Sequence, residues 1–180
     1  PFEENTLNSL KNNVWHLYED KHQNIWAATE KGLAILRKGK SKFENDDAFL
    51  KSKINSKRAQ FITNASSDYL WVGTDDGVYV YFTDKQGSIH EMSHYNFHFP
   101  DYTDEQSNYV YSINEINNEH FYILCKSGIV ELDISKGFEK ASYNLLKSNG
   151  QELEFPRTIL AENMMNASYI IGTNDGIRFI

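Results

Sequence analysis

Three histidines spaced by four residues form the clearest candidate metal site in the sequence: His90, His94 and His98. On a helix this spacing would place three imidazoles on one face, which is an arrangement that zinc accepts. The surrounding residues are poor for a helix, because Phe97 lies within the segment and Pro100 ends it. We therefore predict solvated or loop-packed histidines and no metal site.

The candidates for catalytic residues are less convincing than the histidines. Glu19 and Asp20 are adjacent carboxylates, but neighbouring residues at the end of a strand point to opposite faces and cannot converge on one bond. The sequence contains no nucleophile elbow, phosphate-binding loop or metal-binding His-Glu helix. We predict no catalytic residues and no cofactor, and hence a protein that is not an enzyme.

The best ligand-binding candidates each lie nineteen residues before one of four similar glycine motifs: Asn13, Arg58, Tyr109 and Arg157. Tyr111 adds a second aromatic ring close by. The donor fork of arginine suits carboxylates or sulfates, and tyrosine offers a face for stacking. We predict that these five residues bind ligand. The alternative is that Arg58 and Arg157 only pair with acids of the hairpin turns, such as Asp76 and Asp175.

An internal sequence repeat determines where these candidate residues lie in the fold. Four segments share one pattern: IWAATEKGLAIL from residue 25, LWVGTDDGVYVY from 70, FYILCKSGIVEL from 121 and YIIGTNDGIRFI from 169. Each has two short apolar stretches joined by two polar residues and a glycine, which is typical of a β-hairpin because glycine adopts positive φ without strain. Their glycines, Gly32, Gly77, Gly128 and Gly176, are 45, 51 and 48 residues apart.

An apolar stretch precedes each hairpin and a shorter, more polar one follows it, so the repeating unit has four strands. Four strands in each repeat of 45–51 residues predict an all-β protein. The predicted fold is a β-propeller of four-stranded antiparallel blades. We expect one domain over residues 1–180, with blades near 13–45, 58–92, 108–143 and 156–180 and the tail of a preceding blade at 1–12. Outer strands are expected around 42–44, 89–92 and 138–143. We prefer a partial ring of a larger propeller to a four-bladed ring closed by the segment at Phe2.

Aromatic residues could serve the core or a ligand. Trp26 and Trp71 occupy the same register in two copies, which favours core packing. The long connection at 93–108 carries Tyr95, Phe97 and Phe99, with Tyr102 beyond them. We expect this connection to fold onto the blade edge, in preference to forming a sugar-stacking or partner-docking surface.

These motifs resemble the two-component regulator propeller repeat. The resemblance is carried by Val14-Trp15, Asn24-Ile25-Trp26 and Gly32-Leu33 in the first copy, and by Leu70-Trp71-Val72-Gly73-Thr74 with Gly77 in the second. It covers almost the whole chain and is weakest in the third copy, where Tyr122, Leu124 and Cys125 replace Trp, Gly and Thr. The resemblance implies a seven-bladed propeller that forms the periplasmic sensor of a hybrid histidine kinase regulating polysaccharide use.

The amino-acid composition limits the classes of partner that this chain could bind. Eighteen basic and 25 acidic residues give a net charge of −7, which disfavours nucleic acid. No apolar run of about 18 residues exists, so we expect no membrane contact by this segment. We expect an oligosaccharide ligand, acidic if the arginines bind it, and signalling to a kinase outside this chain. Further expected partners are the remaining blades and domains of the parent protein and a second copy in a homodimer. The alternatives are a propeller glycan lyase or hydrolase and a protein-docking propeller without a small ligand.

Overall fold

The computed structural model describes residues 13–44, 54, 57–64, 68–84, 89–99, 108–148, 151–152, 156–162 and 168–179. Within these ranges the chain forms β-strands and a 3-10 turn at Phe138–Lys140, and it contains no α-helix. The described part accordingly has no helix with the length and apolar character needed to cross a bilayer. The predicted all-β class is confirmed.

In the described ranges, fifteen strands form four antiparallel sheets, and each sheet pairs its strands in chain order. The first sheet contains β1 (Val14–Glu19), β2 (Ile25–Thr29) and β3 (Gly32–Leu36). The second contains β4 (Ala59–Thr63), β5 (Tyr69–Thr74), β6 (Gly77–Thr83) and β7 (Ile89–Tyr95). The third contains β8 (Val110–Asn117), β9 (His120–Cys125), β10 (Gly128–Asp133), β11 (Ser142–Ser148) and β12 (Gln151–Glu152). The fourth contains β13 (Pro156–Glu162), β14 (Ser168–Thr173) and β15 (Gly176–Phe179).

Each sheet is one blade, and the first strands of the blades lie innermost. β1 contacts β4, β4 contacts β8, and β8 contacts β13. Among the described residues, no comparable contact joins the fourth blade to the first. The blades therefore follow one another as an open array in this part of the chain. The segment at Phe2 and the rest of residues 1–12 lie outside the described residues, and the total of seven blades stays a prediction.

The outer strands differ from expectation in extent. In the first blade, Glu44 forms a single bridge with Ile35. In the second, β7 continues to Tyr95. In the third, the strand expected at 138–143 is wrong, because Phe138–Lys140 is a 3-10 turn and the strand begins at Ser142. The ring of Phe138 packs instead against Tyr69 of the second blade, with centroids 4.8 Å apart, so this aromatic residue seals the space between two blades.

The core lies between the blades. The residue six positions before each hairpin glycine faces the next blade, and in the first three blades it is buried: Trp26, Trp71 and Tyr122. The ring of Trp71 lies 4.2 Å from that of Phe121, centroid to centroid. The prediction that both repeated tryptophans belong to the core is confirmed.

The described part of the long connection also packs onto the blades. Phe97 is buried and meets the ring of Tyr143 edge-on at 5.2 Å. The hydroxyl of Tyr95 donates to the carbonyl of Phe138 at 3.0 Å. These aromatic residues hold the second and third blades together, as expected of a connection folded onto the blade edge. Tyr102 lies outside the described residues.

Candidate functional site

The starts of the inner strands lie beside the hairpin turns of the same blade. A backbone hydrogen bond recurs in three blades, from Glu30 N to Asn13 O (3.2 Å), from Asp75 N to Arg58 O (3.1 Å) and from Lys126 N to Tyr109 O (2.9 Å). Asn13, Arg58 and Tyr109 are thus structurally equivalent, as the spacing predicts. They lie at one end of the inner strands, which is the mouth of the central channel in a propeller.

Arg157 is not equivalent to these three residues. Pro156 pairs with Thr173, which matches the pairs Val14 with Thr29, Ala59 with Thr74 and Val110 with Cys125. The stretch from this pair to the hairpin glycine is two residues longer in the fourth blade, so counting back from Gly176 misplaces Arg157. Its equivalents are the residues that follow the same pair in the other blades.

Those four residues share a structural irregularity. In every inner strand the register shifts immediately after the first pair, so that one residue is left out of the ladder: Trp15, Gln60, Tyr111 and Arg157. We call these the bulge residues. A bulge redirects a side chain and frequently lies next to a binding or catalytic site. The fold therefore presents one redirected side chain per blade near the channel mouth.

Side-chain contacts connect this end of the four blades. The guanidinium carbon of Arg58 lies 5.9 Å from the ring centroid of Trp15, and that of Arg157 lies 4.0 Å from the ring centroid of Tyr111. The ring of Tyr109 lies 5.2 Å from that of Tyr111. A hydrogen bond to Tyr109 is the main cause of a raised pKa at Arg58. We call these five residues the arc.

Four of the five predicted site residues thus come together in the arc: Arg58, Tyr109, Tyr111 and Arg157. The fifth, Asn13, has an exposed side chain, and only its backbone carbonyl is used, as the acceptor of the hydrogen bond from the backbone N of Glu30. Burial raises the pKa of Tyr111, although the charge of Arg157 acts in the opposite direction. Tyr111 is therefore a protonated hydrogen-bond donor at neutral pH.

The two arginines differ in their partners. Nη2 of Arg58 lies 3.1 Å from Oε1 of Glu30, in the hairpin turn of the preceding blade. Nε of Arg157 donates to the amide oxygen of Asn174 at 2.8 Å. In the part of the chain that the structure describes, no carboxylate pairs with Arg157. Arg58 thus pairs with an acid of a hairpin turn, as the alternative expected, but this acid is Glu30. The carboxylate of Asp76 pairs instead with Lys57 at 2.9 Å.

Two of the three spaced histidines, His90 and His94, have separate side-chain partners. His90 lies 2.9 Å from a carboxylate oxygen of Asp84. His94 stacks on Tyr79, with centroids 4.0 Å apart, and its Nε2 lies 2.7 Å from the carbonyl oxygen of Asp76. The described ranges hold no group of three His, Cys, Asp or Glu side chains placed for a metal ion.

Sequence reasoning missed Trp15 and Glu30 as members of the site. Trp15 lies seventeen residues before its hairpin glycine, as does Tyr111, and this shared spacing could have identified it. Glu30 had no comparable signal, because its contact with Arg58 crosses from one blade to the next.

Residues 8–31 match the model of the two component regulator propeller family. The chain carries a two component regulator propeller repeat. The match confirms the resemblance that the motifs indicated. The matched segment contains β1 and β2, and with them Trp15 and Glu30. No curated protein sequence matches the chain significantly.

Several solved propeller structures are similar to almost the whole chain. One is the extracellular domain of BT3049 from B. thetaiotaomicron, described as a hybrid two component system, with 19% identity, a TM-score of 0.62 and coverage of 93% of this chain and 21% of that one. BT4673 of the same organism gives 17% identity, a TM-score of 0.62 and coverage of 92% and 20%. The periplasmic gluconolactonase PpgL of Pseudomonas aeruginosa gives 7% identity, a TM-score of 0.66 and coverage of 93% and 49%.

At these identities the similarity shows the propeller fold. The chain spans about a fifth of the length of the two extracellular domains.

Proposed function

We propose that this chain is part of the periplasmic input domain of a hybrid two-component regulator, where it binds an acidic oligosaccharide and signals to a kinase outside this chain. The observation that carries the proposal is the regulator propeller repeat on a fold shared with two extracellular sensor domains. The arc supplies the place where the ligand binds.

The chemistry of the arc suits an acidic sugar. The rings of Tyr109 and Tyr111 offer apolar faces that stack on the C–H faces of a pyranose, and their hydroxyls bond to sugar hydroxyls. A guanidinium binds a carboxylate or a sulfate through two parallel hydrogen bonds. Arg157 is the arginine that brings a positive charge with no carboxylate partner among the described residues.

The arc is better suited to binding than to turnover. Hydrolysis of a glycosidic bond usually needs two carboxyl groups on either side of it. Among the described residues, Glu30 and Asp75 both have carboxylates in contact with Arg58 of the arc. Glu30 forms an ion pair with its guanidinium, and Asp75 accepts a hydrogen bond from its backbone N at 3.0 Å, so Arg58 engages both carboxylates. The five arc residues are spread over the four blades, with Tyr109 and Tyr111 both in the third. A ligand that contacts several of them therefore links the blades and can bias their relative positions.

Titration calorimetry with this chain and a panel of neutral and acidic oligosaccharides tests the proposal. We expect saturable binding of an acidic oligosaccharide, and at least tenfold weaker binding by the double variant Arg58→Ala, Arg157→Ala. A matched control, Lys136→Ala with Lys140→Ala, removes the same charge near the opposite end of the blades and should bind as the parent does. If no oligosaccharide binds, or if the double variant binds as tightly as the parent, the proposal is wrong.

An enzyme is the second candidate, because a gluconolactonase shares the fold. The same panel separates the two functions when products are analysed by mass spectrometry. Unchanged oligosaccharide after prolonged incubation supports a sensor, whereas shortened or unsaturated products would show a hydrolase or lyase.

A further inference from the structure

We propose that the bulge residues form an elongated binding surface in which Trp15 stacks on a neutral sugar ring and Arg157 binds the negative charge of the ligand. The inference rests on the proposed function and specifies the ligand as an oligosaccharide with a neutral unit at one end and an anionic unit at the other. It also adds Trp15, which no comparison assigns, to the site.

Trp15 differs from the other tryptophans of the chain. Trp26 and Trp71 are 2% and 0% exposed, whereas Trp15 is 46% exposed. The first blade has no preceding blade among the described residues, and Val14 and Leu17 of the same strand are also about half exposed, at 49% and 59%. Exposed aromatic side chains nevertheless commonly mark binding surfaces. The exposed indole is therefore a candidate for stacking on a ligand.

The bulge and the guanidinium of Arg58 determine where the indole lies. His16, the next residue, packs against the second blade, and its ring stacks on Phe61 with centroids 4.5 Å apart. Without the bulge, Trp15 would occupy a regular ladder position of β1. With the bulge it leaves the ladder, and the guanidinium of Arg58 lies over its ring. This cation–π contact holds the indole while part of the ring stays open to solvent.

The charge differs between the two ends of the surface. Beside Trp15, the charge of Arg58 is neutralised by Glu30 at 3.1 Å. At the other end, Arg157 lies on the ring of Tyr111 and bonds to the neutral amide of Asn174. One end is thus aromatic with balanced charge, and the other is aromatic with a net positive charge. A ligand that matches both ends carries its anionic group at the fourth blade.

The middle of the surface contains a polar group without a partner. Nε2 of Gln60, the bulge residue of the second blade, is buried and makes no hydrogen bond with any described residue. Buried donors are normally paired. This donor is enclosed by protein, as is the unpaired Nε1 of the core residue Trp71, so it can bind a sugar hydroxyl only after the Gln60 side chain turns outward. Since Trp15 and Arg157 lie on β1 and β13, with β4 and β8 between them, the matching ligand is longer than a monosaccharide.

Tryptophan fluorescence provides a direct test on the intact chain. Because Trp26 and Trp71 are buried, quenching by acrylamide reports mainly on Trp15. Glucuronosyl-xylotriose, a monosulfated carrageenan tetrasaccharide and cellotetraose serve as carboxylate, sulfate and neutral probes, and the two anionic probes each contain neutral units. We expect at least one anionic probe to lower the acrylamide quenching constant of Trp15 twofold or more. Whether the carboxylate or the sulfate probe does so identifies the anionic group that the site prefers. An anionic probe that binds in calorimetry without protecting Trp15 would overturn the stacking role.

Variants separate the two ends of the surface. Trp15→Ala should weaken binding of anionic and neutral probes by a similar factor, at least tenfold, while Trp15→Phe keeps most of the affinity. Arg157→Gln should weaken only the anionic probes. Leu17→Ala is the matched control, because Leu17 is an apolar residue of the same strand and is 59% exposed; it should bind as the parent does.

The outcomes distinguish this inference from the proposed function. If the Arg58→Ala, Arg157→Ala variant loses binding but Trp15→Ala does not, the proposed function stands and the surface assigned here is wrong. If Arg157→Gln weakens neutral and anionic probes equally, its role as the charge-selecting residue is wrong. If the parent binds none of the probes, the proposed function itself fails.

Discussion

The interface between the second and third blades and the free face of the fourth blade are built from the same positions of the repeat, yet only the first is buried. Trp71 and Val78 face the third blade and are both 0% exposed. The equivalent residues of the fourth blade are Ile170 and Ile177, and Ile177 is 67% exposed. Leu160, which pairs with Ile170 on the same face, is 58% exposed.

This difference shows that the repeat pattern decides which side chains face the next blade, whereas burial depends on the presence of that blade. In repeat proteins much of the stability comes from interfaces between neighbouring units. A substitution at a given repeat position should therefore have a large effect in the second blade and a small one in the fourth. Pairs of equivalent substitutions measure this directly.

The largest contrast is expected for the residue six positions before the hairpin glycine. Trp71→Ala removes a fully buried ring that packs on Phe121, and it should lower the free energy of unfolding by about 3–5 kcal/mol. Ile170→Ala acts on a half-buried side chain and should cost less than about 1 kcal/mol. Urea denaturation followed by fluorescence and circular dichroism gives both values. Equal losses would show that the fourth blade is covered in solution.

The hairpin glycines offer the next contrast. Gly77 has φ of 91°, and a Cβ there would lie 2.0 Å from the carbonyl oxygen of Tyr95. Gly176 has φ of 123° with nothing within 4 Å of its Cβ position. Gly77→Val combines backbone strain with a backbone clash and should cost about 3 kcal/mol or more, whereas Gly176→Val should cost only the strain, about 1–2 kcal/mol. Thermal melting of the two variants side by side checks the order.

A smaller contrast is expected at Gly73 and Gly172, where the backbone is ordinary. A Cβ on Gly73 would lie 2.6 Å from Cγ1 and 3.0 Å from Cβ of Val110 in the third blade. Val110 is stiff and buried, so Gly73→Ala should cost about 1–3 kcal/mol by overpacking. A Cβ on Gly172 would meet only the methyl group of Thr158, an exposed side chain that can rotate away. Gly172→Ala should be neutral or slightly stabilising, and a loss as large as that of Gly73→Ala would contradict this account.

The smallest effect concerns pH and compares a histidine at a blade interface with an exposed histidine. Between the first and second blades, Nδ1 of His16 accepts a hydrogen bond from the backbone of Ile62 at 3.3 Å, and burial lowers the pKa of His16. The unfolded chain therefore binds this proton more readily than the folded one. The contribution of His16 to the free energy of unfolding is fully present above the ordinary pKa of about 6.5. It is lost as the pH falls through that value toward the lower pKa of the folded state.

We therefore compare the free energy of unfolding at pH 7.5 and at pH 5.5, which lie about one unit on either side of the ordinary pKa. The difference between the two values should be smaller in His16→Gln than in the parent. Glutamine keeps an acceptor for Ile62 but does not titrate. His22→Gln changes an exposed histidine of the same blade and is the control. A difference reduced equally by both variants would mean that the interface at His16 is not the source of the effect.

Much of the fold follows from local signals in the chain. The period of the hairpin glycines predicts four blades, and short β-branched and aromatic stretches predict strands. The shared register of Trp26 and Trp71 predicts the core between blades. The same period correctly aligns Asn13, Arg58 and Tyr109, because three blades keep the same number of residues between the start of the inner strand and the hairpin.

Other features depend on contacts between residues far apart in the chain. The four bulge residues share no residue type, so only strand pairing shows that Trp15 leaves the ladder of β1 and that Arg157 is its equivalent. The Arg58–Glu30 pair joins two blades, and Phe138 lies in a 3-10 turn and packs against Tyr69 of another blade. Period and pattern are properties of the chain itself, whereas the partners of an inner-strand side chain come from the neighbouring blade. The repeat could therefore be predicted, and the composition of the candidate site required the packed structure.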